Sequence, residues 1–173
     1  MPSRLRRVML RDAILEDLRT NRGQPKSQAV LVLFRLAQAA RGGPLPGRAR
    51  LLAAPVGVLY RVVVEWLLGV ELPWGTRVGR RLRIEHGVGL VVNAYTVIGD
   101  GVILRQNVTI GNNGTSLACP SLEDGVDVGA GAVILGDVVV GARARIGANA
   151  VVVRNVKPGA VAVGVPAVEK SSG

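Results

Sequence analysis

Aliphatic residues recur every six positions along most of the chain after Trp74, and this spacing limits the folds open to it. They stand at Ile98, Leu104, Ile110, Leu122, Val128, Ile134, Val140, Ile146 and Val152, with one gap of twelve. Small or apolar residues follow most of them by four positions, at Val102, Val108, Val126, Ala132, Val138, Ala144, Ala150 and Val156. A period of six fits neither an α-helix nor the two-residue alternation of a strand. It predicts a parallel β-helix, in which each flat side of a coil buries one aliphatic residue; an ordinary β-sandwich would not keep this register.

The composition agrees with a narrow core of thin, repeated layers. Hydrophobic residues make up 49% of the chain but aromatic residues only 3%, and there are 23 glycines. Glycine directly follows the aliphatic residue at Gly99, Gly111, Gly129, Gly141 and Gly147. We therefore expect a mainly β fold whose core is a column of Val, Ile and Leu, with no room for aromatic rings.

An N-terminal helical region precedes the repeats. Apolar residues interleaved with charges predict an amphipathic helix over 4–21, which Gly23 and Pro25 end. Ser27 is placed to cap a second helix that runs to about residue 40, and a third helix occupies roughly 49–68. We expect a helical region over 1–73, a β-helix domain over 74–168 and a C-terminal tail over 169–173.

The charge of the chain favours an anionic partner. There are 22 Lys and Arg against 12 Asp and Glu, a formal net charge of +10. Nucleic acid, a membrane surface and a phosphate-bearing cofactor all fit such a charge. Nucleic acid is disfavoured, because the basic residues are scattered and few aromatic residues stand among them for stacking on bases.

One stretch, 51–70, is long enough to cross a membrane. It contains Pro55, Gly57, Arg61 and Glu65. Ionisable groups in mid-span cost about 2.5–3.5 kcal/mol for types such as Arg, so we expect a buried helix without a transmembrane segment; peripheral membrane contact is the minority alternative.

Arg11 and Asp12 interrupt the apolar run after the basic N-terminus, before a signal-peptide core forms. We therefore expect a cytoplasmic protein.

Single residues exclude whole classes of site. The one cysteine, Cys119, cannot form an intrachain disulfide. The one histidine, His86, excludes a site built from two or three imidazoles, and no cluster of cysteines offers an alternative set of zinc ligands. We expect no metal.

The six-residue register fails at two places, where function is expected. Val78, Ile84 and Leu90 keep the spacing, but the later series restarts at Val92, so an insertion lies beside Glu85-His86-Gly87. The gap of twelve holds Asn112-Asn113-Gly114 and Cys119-Pro120, which indicate a loop extruded from the β-helix.

These features together resemble a known family. The repeats, Glu85-His86-Gly87, Val108-Thr109-Ile110-Gly111 and Gly164-Val165-Pro166-Ala167 resemble the serine acetyltransferase branch of the hexapeptide-repeat acyltransferases, from about residue 69 to 167. The resemblance implies a left-handed parallel β-helix that forms a homotrimer, with acetyl-CoA in the crevice between two prisms. The N-terminal region is shorter than is usual in serine acetyltransferases, which pair trimers through it, so a trimer is favoured and a hexamer stays open.

The resemblance places Glu85 and His86 on the catalytic pair of the family. An alcohol is a weak nucleophile, and an imidazole, whose ordinary pKa is about 6.5, can take its proton as it attacks a thioester. Glu85 or another carboxylate would orient the ring and stabilise the imidazolium. A lone histidine is more often structural, but the insertion and the resemblance favour catalysis.

The acceptor is predicted from departures within the branch. Asn107, Gly111 and Cys119 are expected around the reaction centre, yet Cys119 stands where serine acetyltransferases have a second histidine, and Gln24 where they have an aspartate. Similarity to short acetyltransferases of exopolysaccharide (colanic-acid-type) clusters rests on Glu16-Asp17-Leu18-Arg19, Ala54-Pro55, Val58-Leu59-Tyr60-Arg61 and Ala118-Cys119-Pro120. A sugar hydroxyl is therefore favoured over serine. Cys119 either contacts the acceptor or packs the loop; a nucleophilic role is disfavoured because the branch transfers acetyl directly.

The resemblance also suggests contacts to acetyl-CoA. Ala130 and Ala148 stand one full turn apart at corners where backbone amides of the superfamily contact the pantetheine arm, and Gly111 is assigned to the same ligand. Arg154 takes the place of a basic residue for the CoA phosphates. Small residues at corners also suit the fold itself, and a solvated arginine is an ordinary surface feature.

Two functions other than O-acetyl transfer are alternatives for a chain with these repeats, a non-catalytic scaffold and a carbonic anhydrase. A non-catalytic hexapeptide-repeat scaffold, which would assemble with a partner through its helices, would not need a histidine at the insertion. A γ-type carbonic anhydrase on the same fold needs three histidines and is excluded by their number.

Overall fold

The computed structural model describes residues 10–42 and 55–170, which form two helices, a third helical segment and a parallel β-helix. Helices α1 (Leu10–Thr20) and α2 (Pro25–Gly42) come first. The third helix covers residues 55–67, and its last part, Arg61–Leu67, is a π-helix. The strands are β1 (Val70–Glu71), β2 (Arg77–Val78), β3 (Arg83–Glu85), β4 (Leu90–Val92), β5 (Val97–Ile98), β6 (Ile103–Arg105), β7 (Thr109–Gly111), β8 (Ser121–Leu122), β9 (Asp127–Val128), β10 (Val133–Leu135), β11 (Val139–Val140), β12 (Arg145–Ile146), β13 (Val151–Val152), β14 (Val161–Val163) and β15 (Val168–Glu169).

The strands stack into three parallel sheets that form the faces of a prism with five coils. The first sheet has the order β1-β4-β7-β10-β13, the second β11-β8-β5-β2 and the third β15-β14-β12-β9-β6-β3. Each coil therefore visits the three sheets in turn, which confirms the predicted parallel β-helix. Of the strands within the described residues, β15 alone pairs antiparallel, with β14.

Pairing between the coils shows where residues were inserted. Ser121 pairs with Val139, eighteen residues on, which is three sides of six. Val70 pairs with Leu90, twenty residues on, so the first coil holds two extra residues. Val97 pairs with Ser121, twenty-four residues on, so six extra residues form the extruded loop before β8. Both predicted irregularities are confirmed, and each lies at a corner between sheets.

The core matches the predicted column of aliphatic side chains. All nine residues of the six-residue series, and the eight small or apolar residues that follow them, are buried. Three aromatic rings, those of Phe34, Tyr60 and Trp74, pack together where the helices meet the first coil, whereas Trp66 and Tyr95 are exposed. Tyr60 is 6.3 Å from Phe34 and 5.6 Å from Trp74 between ring centroids.

Glycines after the inward aliphatic residues allow successive coils to touch. A Cβ atom on Gly129 would lie 2.5 Å from the backbone nitrogen of Ala148 in the next coil. Gly79, Gly99 and Gly141 stand equally close to the backbone of the coil that follows them. The repeated glycines therefore follow from backbone contact between coils.

Gly129→Ala is expected to destabilise the protein by about 1–3 kcal/mol or more, because the added methyl forces two coils apart. Gly111→Ala is the matched control, since its Cβ would meet the Asn93 Cβ at 3.6 Å, an ordinary contact. Urea unfolding at equal protein concentration measures both. Equal stability of the two variants would contradict the explanation.

The N-terminal helices differ from the prediction in two details. Pro25 is the first residue of α2, a position where its missing N–H costs nothing, whereas it was expected to lie in the break before the helix. Ser27 is therefore inside the first turn and not the cap, and its hydroxyl donates to the Ile84 carbonyl at 2.7 Å.

The β-helix begins at Val70, ahead of the expected boundary at 74, and Glu169 belongs to β15. The predicted helical residues 4–9 and 49–54 lie outside the described residues.

The third helix buries one face and exposes the other. Tyr60 and Val64 are buried, while Val58, Leu59, Val62, Trp66 and Leu67 are exposed. The sequence predicts a buried helix here, and in the structure one face of the helix is buried. Among residues 10–42 and 55–170, no helix combines the length and the apolarity needed to cross a membrane.

A buried ion pair joins α1 to α2, and its arginine also attaches the helices to the first coil. The Arg35 guanidinium is 2.8 Å from the Asp17 carboxylate, and both side chains are buried. Arg35 also donates to the carbonyls of Val78 and Gly79, at the end of β2. Gln38 donates to the Thr76 carbonyl at 3.0 Å. The polar side of the helix pair thus satisfies backbone groups at the open end of the prism.

Candidate active site

The corner between β3 and β4 holds the first insertion. From Ile84 to the next stacked aliphatic residue, Val92, the chain takes eight residues, whereas one coil later Leu104 and Ile110 are six apart. Glu85 still pairs with Arg105, and the Asn107 nitrogen donates to the Val88 carbonyl at 2.9 Å. The extra length is therefore confined to the residues around His86 and Gly87.

His86 has a backbone conformation that is unusual even for this fold. Its φ is +62°, and its side chain is exposed. Regular corners also contain left-handed residues, but these stand three positions before an inward aliphatic residue, as Arg81, Asn107, Arg143 and Asn149 do. His86 instead stands two positions after one, and Gly87 follows it with φ +35°. A left-handed non-glycine residue held by its surroundings is a frequent feature of functional sites.

A single edge of the prism carries several of the predicted site residues. We call the corners from the third to the first sheet the histidine edge; it comprises residues 86–89, 106–107, 130–131 and 148–149. Backbone hydrogen bonds connect its coils, from Asn107 to Val88, from Gly131 to Gln106 at 3.0 Å and from Asn149 to Ala130 at 2.9 Å. His86, Asn107, Ala130 and Ala148 therefore lie along one edge.

Two of the other predicted residues, Cys119 and Arg154, lie on a different edge. We call the corners from the first to the second sheet the loop edge; it comprises residues 93–96, 112–120, 136–138 and 153–155. Cys119 lies in the extruded loop, Gly111 ends β7 just before it, and Arg154 is exposed after β13. The first sheet separates Cys119 and Arg154 from His86 within one chain, so the structure does not bring Cys119 and His86 together.

Cys119 is partly buried in the loop. Burial raises the pKa of its thiol, which keeps it protonated at neutral pH. Thiolate is the nucleophilic form of cysteine, and burial disfavours this form at Cys119.

The Glu85 carboxylate is held by two arginines on the outer face of the third sheet. It lies 2.9 Å from Arg83 and 2.8 Å from Arg105. Arg105 also donates a hydrogen bond to the Asp127 carboxylate. This bond raises the pKa of Arg105, and the negative charge of Glu85 raises it further. Within residues 10–42 and 55–170, the hydrogen bonds of Glu85 do not include His86. Arg105 is not among the residues predicted from the sequence, although it stands one coil after Glu85 and pairs with it across the sheet.

The described residues contain no group of three or more His, Cys, Asp or Glu side chains that could hold a metal ion. The residues that could contact a long cofactor are instead the small ones of the histidine edge. Ala148 is exposed and Ala130 is partly exposed at this edge.

Comparison with curated proteins identifies close relatives. Residues 120–154 match the family described as bacterial transferase hexapeptide (six repeats). WcaB of Escherichia coli, a protein named for acetyl transfer in colanic acid biosynthesis, is 37% identical over 153 residues, which are 87% of this chain and 94% of WcaB. A serine acetyltransferase of Mycobacterium tuberculosis is 42% identical over 120 residues, which are 68% of this chain and 51% of that protein.

Solved structures agree with the sequence comparison. A serine acetyltransferase in complex with CoA matches with a TM-score of 0.76 and 28% identity, over 93% of this chain and 69% of that one. The fold, the repeats and the identity to WcaB across nearly its whole length all support one assignment. The chain belongs to the hexapeptide-repeat acyltransferases, in the branch close to WcaB and the serine acetyltransferases.

Proposed function

We propose that the protein transfers acetyl from acetyl-CoA directly to an acceptor hydroxyl, with His86 as general base. The imidazole removes the hydroxyl proton as the oxygen attacks the thioester carbonyl; the C–O bond forms, the C–S bond breaks, and the CoA sulfur leaves and is protonated. The observation that carries the proposal is the position of His86. It is exposed in an inserted, left-handed corner, on the same edge as Ala130 and Ala148.

Acetyl-CoA fits the histidine edge as an extended ligand. A related structure contains CoA. Small side chains at Ala130 and Ala148 allow the pantetheine arm to approach the backbone one coil apart. Acetyl-CoA is available in the cytoplasm, and we place the reaction there.

A second copy of the chain would complete the site. His86 and Asn107 lie on the histidine edge, while Cys119 and Arg154 lie on the loop edge and Gly111 ends the strand that leads to it. In a homotrimer, the histidine edge of one prism faces the loop edge of the next, so that Cys119 and Arg154 come from the neighbouring protomer. This arrangement accounts for predicted site residues that one chain keeps apart.

A sugar hydroxyl is the proposed acceptor, in an exopolysaccharide or its precursor. The chain covers 94% of WcaB, which is named for a polysaccharide pathway, but 51% of the serine acetyltransferase. An amino-acid acceptor would need a carboxylate for its buried ammonium group. Asp17 is buried and already paired with Arg35, so it does not serve this purpose. Serine O-acetylation is the second candidate, favoured by the similarity to serine acetyltransferases.

An acceptor panel tests this proposal. We expect release of CoA thiol from acetyl-CoA with a nucleotide-activated or oligomeric sugar, and slower release with serine or homoserine. Acceptor-free reactions correct for hydrolysis, and mass spectrometry of the product must show one added acetyl group. Serine as the best acceptor would contradict the sugar assignment, and transfer to no acceptor would favour the non-catalytic scaffold.

A further inference from the structure

Two buried side chains from the helical region hold the backbone of the strand that leads to His86. The Ile84 nitrogen donates to the Asn21 side-chain oxygen at 3.0 Å, and the Ile84 carbonyl accepts from the Ser27 hydroxyl at 2.7 Å. The Asn21 amide also donates to the Leu82 carbonyl at 2.8 Å. Both backbone groups of Ile84 are therefore fixed from outside the β-helix.

These bonds replace the strand neighbour that β3 lacks. Among the strands in residues 55–170, β3 is the last of the third sheet and pairs with β6 alone. The groups of Leu82 and Ile84 point to the free side, where buried backbone groups without partners would be costly. Asn21 and Ser27 are 0% and 5% exposed, so water does not compete for their bonds. These hydrogen bonds join residues about sixty positions apart in the chain.

Ile84 in turn supports the corner that presents His86. A Cβ atom on Gly87 would lie 2.9 Å from the Ile84 Cγ2, so the corner rests directly on the Ile84 side chain. His86 lies between these two residues with φ +62°. A conformation of this kind persists only when its surroundings hold it, and Ile84 is the residue that the helices fix.

We propose that Asn21 and Ser27 are positioning residues for His86, acting through the backbone of Ile84. This inference rests on the proposed role of His86 as general base. The two side chains touch neither acetyl-CoA nor the acceptor; they set where the imidazole stands relative to both. Displacements of about 1 Å in a catalytic group cost about 100-fold in rate, so the bond from Ser27 has a measurable effect on turnover.

Ser27→Ala tests the inference, with Ser27→Thr as the conservative variant and Gln38→Ala as the matched control. Gln38 also lies on α2 and also donates to a backbone carbonyl of the first coil, at Thr76, away from His86. We expect Ser27→Ala to lower kcat about 10- to 100-fold, with KM for acetyl-CoA nearly unchanged. Ser27→Thr retains most of kcat, and Gln38→Ala leaves kcat at the wild-type value. Asn21→Ala is expected to act as Ser27→Ala does.

Melting temperatures and a double variant separate the outcomes. Positioning is overturned if Ser27→Ala keeps its kcat, or if Gln38→Ala loses as much kcat at a similar loss of melting temperature. In a His86→Asn background, Ser27→Ala is expected to have no further effect on kcat, because there is no base left to position. A large rate in His86→Asn alone would contradict the proposed function, whereas a dead His86→Asn with an unaffected Ser27→Ala contradicts only the positioning role.

Discussion

Replacing His86 with asparagine is expected to lower kcat for acetyl transfer about 10²- to 10⁴-fold, the usual contribution of a general base. Asparagine is chosen because it tolerates the left-handed backbone that His86 adopts at φ +62°. The side chain is exposed, so its replacement removes little packing. We therefore expect the rate to fall while the melting temperature stays near that of the wild type, as followed by CoA thiol release and thermal unfolding.

Arg81→Asn is the matched control for this variant. Arg81 is an exposed residue of the same coil with φ +56°, and lies at the corner between the second and third sheets. Its ion pair with Asp100, at 3.8 Å, is a surface contact of small energy. The control is expected to keep the wild-type kcat. A His86→Asn variant as active as Arg81→Asn would show that His86 is not the base.

Asp17→Ala is expected to destabilise the protein by about 3–5 kcal/mol, because it leaves the Arg35 charge buried without its partner. The pair is 2.8 Å apart, with side-chain exposures of 1% for Asp17 and 7% for Arg35. Arg35 also bonds the carbonyls of Val78 and Gly79. Its displacement would therefore loosen the helices from the first coil, and the free energy of urea unfolding should fall accordingly.

Glu16, the preceding residue of α1, provides the control for Asp17. It pairs with Arg80, but both side chains are partly exposed, at 23% and 34%. Water competes for such a pair, and Glu16→Ala is expected to cost about 0.2–1 kcal/mol. Both variants are compared at one protein concentration, since association adds to stability. Equal losses would mean that burial of the Asp17–Arg35 pair is not what attaches the helices.

The prism and its irregular corners could be predicted from the sequence because the β-helix is periodic. Every side of a coil repeats one local requirement, a single inward aliphatic residue, so the pattern is visible without knowledge of distant contacts. The nine residues from Ile98 to Val152 are all buried for this reason. An insertion interrupts the same pattern, so the six-residue spacing alone predicts the irregular corner of His86 and the loop before Pro120.

The distribution of site residues over the edges was harder to predict. Asn107 and Cys119 were expected together around one reaction centre, but they lie on the histidine edge and the loop edge respectively. The resemblance implies a trimeric site without stating which chain contributes which residue. The edge on which a residue lies depends on how many strands of a coil separate it from His86, and this number follows from the strand positions in the structure.

The sequence by itself therefore determined the prism, its core and the corner that displays His86, since all three follow from spacing along the chain. Only the tertiary structure decided how that corner is supported. Asn21, Ser27 and Arg35 bond backbone groups some forty to sixty residues away. Backbone groups are the same at every residue, so such contacts leave no pattern in the sequence. They become visible only when the helices are in place against the free edge of β3.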